Sequence, residues 1–172
     1  STVNWPERLT DRDSKLEAEG ETTQWRFNPL GNLVSQTDAR DNQRLLGYDI
    51  AGQLIQVALK RRHLPDKTLL SNRRYNVSGQ IEHETAGNGV TTTRRYDLQS
   101  DRLLQLTSSR SGHALQDLAY TYDPVGNITR IRDSVAAIRY FRNQRTDPTN
   151  HYRYDTLYQL IEASGRETVA AS

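Results

Sequence analysis

The sequence predicts an all-β fold, an extended antiparallel sheet built from successive β-hairpins. A short turn-forming word recurs six times within 172 residues, and stretches with strand character lie between its copies. Only 34% of the residues are hydrophobic, and the mean hydropathy is −0.84. That composition suits a sheet that is wetted on at least one face better than a fold with a thick dry core.

The repeated word reads aromatic, Asp or Asn, two variable residues, Gly, Asn or Gln, and then Leu or Ile. Its copies lie near residues 27–33, 48–54, 75–81, 96–103, 122–128 and 154–160. Recurrence at spacings of 21 to 32 residues indicates a row of equivalent structural units. The residues predicted to shape the hairpin turns are Phe27, Asn28, Gly31, Tyr48, Asp49, Gly52, Tyr75, Asn76, Gly79, Tyr96, Asp97, Tyr122, Asp123, Gly126, Tyr154 and Asp155.

Each letter of the word has a physical role in a hairpin. The aromatic residue ends one strand and packs on the pleated surface. The Asp or Asn that follows begins the turn, because its side chain can bind backbone N–H groups two residues on. Pro29 and Pro124 occupy the second turn position, where a fixed φ suits a type I turn. Glycine then supplies the left-handed conformation of a turn with a bulge, and Leu or Ile starts the return strand.

Two copies depart from the pattern. The fourth has one extra residue, and Asp101 stands near the glycine position. Aspartate tolerates the left-handed conformation better than most residues do, so we expect a longer turn there. The sixth has Tyr158 in place of glycine. Its turn must either differ from the others or carry strain of about 1–2 kcal/mol.

The segments between the words fill in the rest of the predicted sheet. Residues 90–96, 118–122 and 139–142 have strand character, whereas residues 64–67 are predicted to form a loop. Residues 13–19, which are followed by Gly20, are equally compatible with a short helix and with an irregular segment. No boundary divides the chain, so we expect a single repeat region over residues 1–172. The absence of methionine indicates an internal piece of a longer protein or a processed product.

Composition argues against several functional classes. The net charge is only +2, and the one dense basic run, residues 60–63, is typical of a solvated loop, so no nucleic-acid partner is predicted. The absence of cysteine excludes disulfides and cysteine-ligated metals. The four histidines show no metal-binding spacing, and no apolar run is long enough to predict membrane insertion. We predict no catalytic, cofactor-binding or metal site.

The six words resemble the tyrosine–aspartate (YD) repeats of the Rhs family of bacterial polymorphic toxins, over roughly residues 24–165. Residues 152–163 resemble in particular the C component of insecticidal toxin complexes. The resemblance implies a sheet that spirals into a hollow shell around a toxic C-terminal domain, with this chain as one curved arc. The implied partners are the remaining repeats, the enclosed toxin domain and a B-type shell or delivery component. The implied location is extracellular, after secretion or delivery by bacteria.

Three functions stay open on the sequence. The first is a non-catalytic structural part of a toxin-enclosing shell, which we favour. The second is a surface adhesion or carbohydrate-binding module, since YD repeats also occur in adhesion proteins. The third is an aspartyl autoprotease that uses Asp123, because residues 123–126 match the family's DPxG-type word. The turn already accounts for those letters, which favours a structural role for Asp123.

Overall fold

The sheet is formed by most of the chain. The computed structural model describes residues 8, 12, 20–136, 139–141, 144–146 and 148–165, with only the backbone of residues 139–141 and 144–146. The possible helix over residues 13–19 lies outside these described residues. The strands are β1 (Gln24–Phe27), β2 (Leu33–Thr37), β3 (Gln43–Tyr48), β4 (Leu54–Arg61), β5 (Leu64–Tyr75), β6 (Ile81–Ala86), β7 (Val90–Tyr96), β8 (Leu103–Arg110), β9 (His113–Tyr122), β10 (Ile128–Asp133), β11 (Arg139–Phe141), β12 (Gln144–Thr146), β13 (Thr149–Tyr154) and β14 (Leu160–Ser164).

Twelve of these strands form one open antiparallel sheet in the order β1 to β10, then β13 and β14. Strands β11 and β12 pair only with each other, as a hairpin inserted between β10 and β13. The all-β prediction is therefore confirmed, as is the extended antiparallel sheet of successive hairpins. Sequential strand order follows from the short connections, since antiparallel neighbours need only a tight turn between them.

This topology sorts the turns onto two margins of the sheet. Successive turns of a meander lie at alternate ends of the strands. All six word turns therefore share one margin, called here the repeat margin: residues 28–32, 49–53, 76–80, 97–102, 123–127 and 155–159. The connections between them form the opposite margin: residues 38–42, 62–63, 87–89 and 111–112, together with residues 134–136, the described start of the connection from β10 to β13.

The loop predicted over residues 64–67 is wrong, because these residues begin β5. The turn between β4 and β5 consists of Arg62 and His63 alone. Pro65 is accommodated where the pairing of β4 with β5 shifts register, so its missing N–H removes no ladder hydrogen bond. The Arg61 guanidinium donates to the Pro65 carbonyl at 2.8 Å, which ties the irregular stretch to β4.

The sheet is a single layer with little dry interior. Among the described residues only Val57, Leu70 and Ser35 are buried, at 7%, 7% and 6% exposure. Val57 lies opposite Leu70 across β4 and β5, and opposite Leu46 on its other side. The apolar contact therefore runs across strands within one face. This agrees with the low hydrophobic content of the sequence.

Within the described residues, neither edge strand of the sheet pairs with a further strand. Every residue of β1 and of β14 is exposed, including Trp25 and Phe27 at one edge and Leu160 and Ile161 at the other. An open edge presents unpaired backbone N–H and C=O groups, which readily pair with a further strand. The two ends of the sheet are thus suited to continue into neighbouring repeats.

Candidate functional site

The repeat margin is the candidate functional site, and each of its turns is organised by one Asp or Asn side chain. In the first copy, Asn28 Oδ1 accepts hydrogen bonds from the backbone N–H groups of Leu30 and Asn32, at 3.0 and 2.9 Å. Asp49, Asn76, Asp97, Asp123 and Asp155 each accept at least two backbone N–H groups in the same way. The side chain thereby satisfies donors that the tight turn leaves without a backbone partner.

The glycine of the word adopts the left-handed conformation. Gly31, Gly52 and Gly79 have φ near +80°, and Gly126 has φ of +110°. The strand register shifts next to each word aromatic, as a turn followed by a bulge requires. In the longer fourth turn, Asp101 takes φ of +57°, and its N–H donates to the Asp97 carbonyl at 2.9 Å.

The sixth turn keeps the common geometry and carries the strain. Tyr158 has φ of +62°, its N–H donates to the Asp155 carbonyl at 3.1 Å, and Asp155 N–H donates to the Gln159 carbonyl at 2.9 Å. The hydrogen bonds of the turn therefore outweigh the cost of a left-handed tyrosine. Of the two outcomes left open by the sequence, the structure shows the strained one.

Tyr158→Gly should raise the free energy of unfolding by about 1 kcal/mol, because glycine adopts this φ without steric cost. Urea denaturation of both proteins measures the difference. Thr156→Gly, in the same turn but at a position without a positive φ, is the matched control and should give no gain. An unchanged or lower stability for Tyr158→Gly would mean that its side chain makes a compensating contact.

A row of tyrosine hydroxyls links each repeat to the one before it. The Tyr48 hydroxyl donates to the Leu33 carbonyl at 2.9 Å, and Leu33 is the last letter of the preceding word. The next four repeats reproduce this bond: Tyr75 to Leu54, Tyr96 to Ile81, Tyr122 to Leu103, and Tyr154 to Ile128, at 2.7 to 3.0 Å. Phe27 starts the row without a hydroxyl. The sequence analysis predicted that the aromatic ring packs on the sheet, but it did not predict the hydrogen bond of the hydroxyl. The sequence signal for this bond was that five of the six word aromatics are Tyr and only one is Phe.

Tyr96→Phe should lower the free energy of unfolding by about 1 kcal/mol, because the half-buried Ile81 carbonyl loses its side-chain donor. Thermal or urea denaturation checks the value. Tyr152→Phe is the control, since no hydrogen bond of the Tyr152 hydroxyl is found within the described part of the chain, and it should change stability by less than about 0.5 kcal/mol. Equal effects of the two substitutions would contradict a role for the hydroxyl row.

Polar side chains add a second link between adjacent turns. Gln80 Nε2 donates to the Asp101 carbonyl at 2.7 Å, and Ser78 Oγ donates to Asp101 Oδ1 at 3.2 Å. One repeat further on, Arg102 Nη1 donates to the Asp123 carbonyl at 3.2 Å and lies 5.6 Å from the centre of the Tyr122 ring. In these two copies the residue that follows the left-handed position therefore reaches the next turn.

A related turn on the opposite margin was not predicted. Asp38 Oδ1 accepts the backbone N–H groups of Arg40 and Asn42 at 2.9 and 2.8 Å, and Asp41 has φ of +61°. Hydrogen bonds from Asn42 hold the pKa of the Asp38 carboxyl below its ordinary value. The signal was present as Asp followed four residues later by Asn, but no aromatic residue precedes it.

One face of the sheet carries a shared ion pair. Glu84 on β6 accepts from Arg73 on β5 at 2.9 Å and from Arg94 on β7 at 2.6 Å. Burial acts to raise the pKa of Glu84, but the hydrogen bonds from Arg94 and Arg73 outweigh it, so the pKa lies below its ordinary value. Arg94 Nη1 is buried without a hydrogen-bond partner. The cluster thus stabilises pairing of three strands and supplies no proton donor near neutral pH.

The Asp123 carboxylate accepts hydrogen bonds from within its own turn. Its Oδ1 accepts from the N–H groups of Gly126 and Asn127, and its Oδ2 accepts from the Asn127 amide at 2.9 Å. Desolvation acts to raise the pKa of Asp123, but these bonds outweigh it and place the pKa below its ordinary value. Aspartyl protease chemistry needs a pair of carboxyl groups that shares a proton, which this environment disfavours. Among the described residues, no three His, Asp or Glu side chains group as a metal site would require.

Comparison with known proteins places this geometry in a family. The sequence model of the RHS Repeat family matches residues 27–61. Toxin subunit YenC2 of Yersinia entomophaga is 41% identical over 165 residues, and toxin subunit YenC1 of the same organism is 42% identical over 152 residues. These alignments cover 92% and 85% of this chain. The chain spans only 17% and 16% of the two relatives.

Solved structures share the fold as well as the sequence. The crystal structure of a TcdB2–TccC3 complex and the Tc holotoxin pore of Photorhabdus luminescens both contain a region with a TM-score of 0.79 and 38% identity. The match covers 96% and 93% of this chain and 8% of each of theirs. The turn words, the open antiparallel sheet and these relatives agree. The chain therefore belongs to the RHS-repeat family and is similar to the C components of insecticidal toxin complexes.

Proposed function

We propose that this chain is a non-catalytic structural section of a shell that encloses a toxic domain. The observation that carries the proposal is the continuous twelve-stranded sheet, in which, as far as the chain is described, no further strand covers either edge. A single layer with half-exposed faces suits a wall with solvent or cargo on either side. The tyrosine row and the turn contacts join each repeat to its neighbour, as a wall built from one strip of sheet requires.

The proposed partners follow from the open edges and from the relatives. Strands β1 and β14 would each pair with a further repeat of the same shell, so that residues 1–172 form part of one repeat region. A toxic C-terminal domain would be the enclosed cargo, and a B-type component would complete or deliver the shell. Support for a second component comes from the similar crystal structure, which contains TcdB2 together with TccC3. We place the assembled protein outside the producing bacterium.

The proposal involves neither nucleic acid nor insertion of this section into a membrane. Within the part of the chain that the structure describes, no helix has the length and apolar character needed to cross a bilayer. The carbohydrate-binding alternative gains less support. Five of the six word aromatics are half-buried and bind backbone carbonyls through their hydroxyls, which leaves their rings poorly placed for stacking on sugars.

Protease protection of the full-length parent tests the enclosure. While the shell is closed, the region C-terminal to the repeats should resist trypsin. In a parent that carries Gly87→Asp, whose side chain has no room against β5, the same region should be digested. Rapid digestion of that region in the unaltered protein, with the repeats intact, would contradict the proposal.

Asp123→Asn separates a structural from a proteolytic role of this residue. Asparagine preserves the turn, as Asn28 and Asn76 show at the same position in other copies, but it cannot act as a protease carboxyl. We expect unchanged processing of the parent protein, as judged by mass spectrometry of its fragments. Loss of a cleavage product in the variant would favour the autoprotease hypothesis instead.

A further inference from the structure

The two faces of the sheet differ in exposure from the end of β5 onward. Side chains alternate between the faces of a sheet, and most residues of β7, β10 and β13 alternate between half-buried and exposed in the same way. The half-buried face, called here the tyrosine face, carries the word tyrosines Tyr96, Tyr122 and Tyr154. The exposed face is called here the arginine face. The cross-strand register places on it Arg74, Arg95, Arg130, Arg132 and Arg153.

The two faces also differ in charge. Over these strands of the sheet, the arginine face carries its five arginines and only two acids, and both acids are already engaged. Glu162 pairs with Arg153 at 2.6 Å. Asp117 accepts from the Gln105 amide at 2.7 Å and from Ser134 Oγ at 2.6 Å. The other four arginines make no ion pair and no side-chain hydrogen bond within the described residues. The tyrosine face, by contrast, balances three arginines with three acids: Arg73, Arg94, Arg110, Glu82, Glu84 and Asp133.

We propose that the arginine face is a docking site for an extended acidic segment of a partner protein. Arginine clusters recognise acidic motifs, because each guanidinium can hold a carboxylate through two hydrogen bonds. In the proposed shell, on which this inference rests, the partner lies outside. Side chains on the concave side of a curved sheet converge and cover one another, whereas those on the convex side diverge. The half-buried tyrosine face is therefore the inner face of the wall, and the exposed arginine face is the outer one.

The spacing of the arginines matches that of side chains on an extended chain. Arg130 and Arg132 lie on the same face of β10, two residues and about 6.8 Å apart. Arg130 lies opposite His151 of β13, and Arg153 follows two residues further along that strand. An extended segment with Asp or Glu at every second position presents its carboxylates with the same period of about 6.8 Å. Laid along β10 and β13, such a segment would place successive carboxylates beside successive arginines.

The side chains between the arginines disfavour other anionic partners. They include Thr93, Thr107 and Thr121, which are small and polar. Within the described strands from β6 onward, no Phe, Tyr or Trp side chain lies on the arginine face, so single-stranded nucleic acid would lack the rings on which its bases stack. No exposed large aliphatic residue of the described sheet lies between these arginines. The face therefore lacks the apolar side chains that a peripheral protein buries in a membrane surface.

Fluorescence anisotropy of the full-length parent protein tests the docking with a labelled peptide in which Glu and Thr alternate. The peptide should bind at low ionic strength, and added salt should weaken the binding. The double variant Arg130→Thr, Arg132→Thr should weaken it about tenfold or more, because two charge-assisted contacts are lost. Arg44→Thr, Arg110→Thr is the matched control, since it removes the same charge from exposed arginines of the tyrosine face, and it should have little effect. Absence of binding, or equal weakening in the two variants, would overturn the proposal.

Three further probes test the spacing, the ligand class and the side of the wall. A peptide of the same composition with all its glutamates together should bind more weakly, because only half of its carboxylates face the sheet, and equal binding would contradict the match of spacings. Tighter binding of single-stranded DNA or of phosphatidylserine vesicles would overturn a polypeptide partner. Peptide binding only to the Gly87→Asp parent, with its shell opened, would place the arginine face inside and overturn the outer partner. Trypsin protection of the C-terminal region, measured in parallel, separates these outcomes from a failure of the shell proposal.

Discussion

Gly87→Ala should cost about 3 kcal/mol of the free energy of unfolding, the largest loss expected from an added methyl group at any of the glycines. Gly87 N–H donates to the Leu69 carbonyl at 2.8 Å and brings the turn close to β5. A Cβ atom at this position would overlap the Thr68 carbonyl. Because that group belongs to the backbone of a strand paired with β4, it cannot move without disturbing the pairing of Thr68 with Ala58. Urea denaturation measures the loss.

Gly89→Ala provides the matched control in the same turn. Gly89 has φ of +82°, but an added Cβ would meet open space, so the cost should be only about 1 kcal/mol. The comparison separates close backbone approach from conformational strain. Equal losses for the two substitutions would contradict the close approach of Gly87 to β5.

Glu84→Gln should cost about 2–3 kcal/mol, because Arg73 and Arg94 would lose the charge that they share. A fully buried ion pair loses about 3–5 kcal/mol when one partner is removed, and we discount that value because these side chains are about one-fifth exposed. Glu162→Gln is the control, since its pair with Arg153 is largely exposed and should contribute less than about 1 kcal/mol. Similar losses in the two variants would contradict a special role for the cluster.

The free energy of unfolding should also depend on pH through the ion pairs of Glu84 with Arg73 and Arg94. The pKa of Glu84 in the folded protein lies below the ordinary value of 4.5. Its contribution is therefore complete above pH 4.5 and is lost as the pH falls through the lower folded value. Denaturation curves of the wild-type chain and of Glu84→Gln should converge over this acidic range. A constant difference down to about pH 2 would mean that charge is not the cause.

The sequence could predict those parts of the fold that depend on contacts between residues close together in the chain. The word turns were predictable because Asn28, Gly31 and their equivalents act on backbone groups within four residues. The all-β class followed from the recurrence of such turns. Pro65 misled the prediction of a loop, because a proline is tolerated in a strand wherever the register shifts, and that shift depends on the pairing of β4 with β5.

Contacts between repeats could not be predicted in the same way. The Tyr48 hydroxyl and the Leu33 carbonyl are 15 residues apart, and Tyr154 and Ile128 are 26 apart. Such partners become defined only when the strand order and register are known. The same holds for Glu84, whose two arginines come from the strands on either side. The repeated word predicted the turns, but the links that join the turns into a continuous sheet required the structure.

The most direct test of the enclosing wall is electron microscopy of the full-length parent protein in negative stain. If this chain is a section of such a wall, the parent should appear as a closed particle with a hollow interior. A rod or an extended fibre would contradict the shell, because the repeats would then present a surface to the outside and enclose nothing.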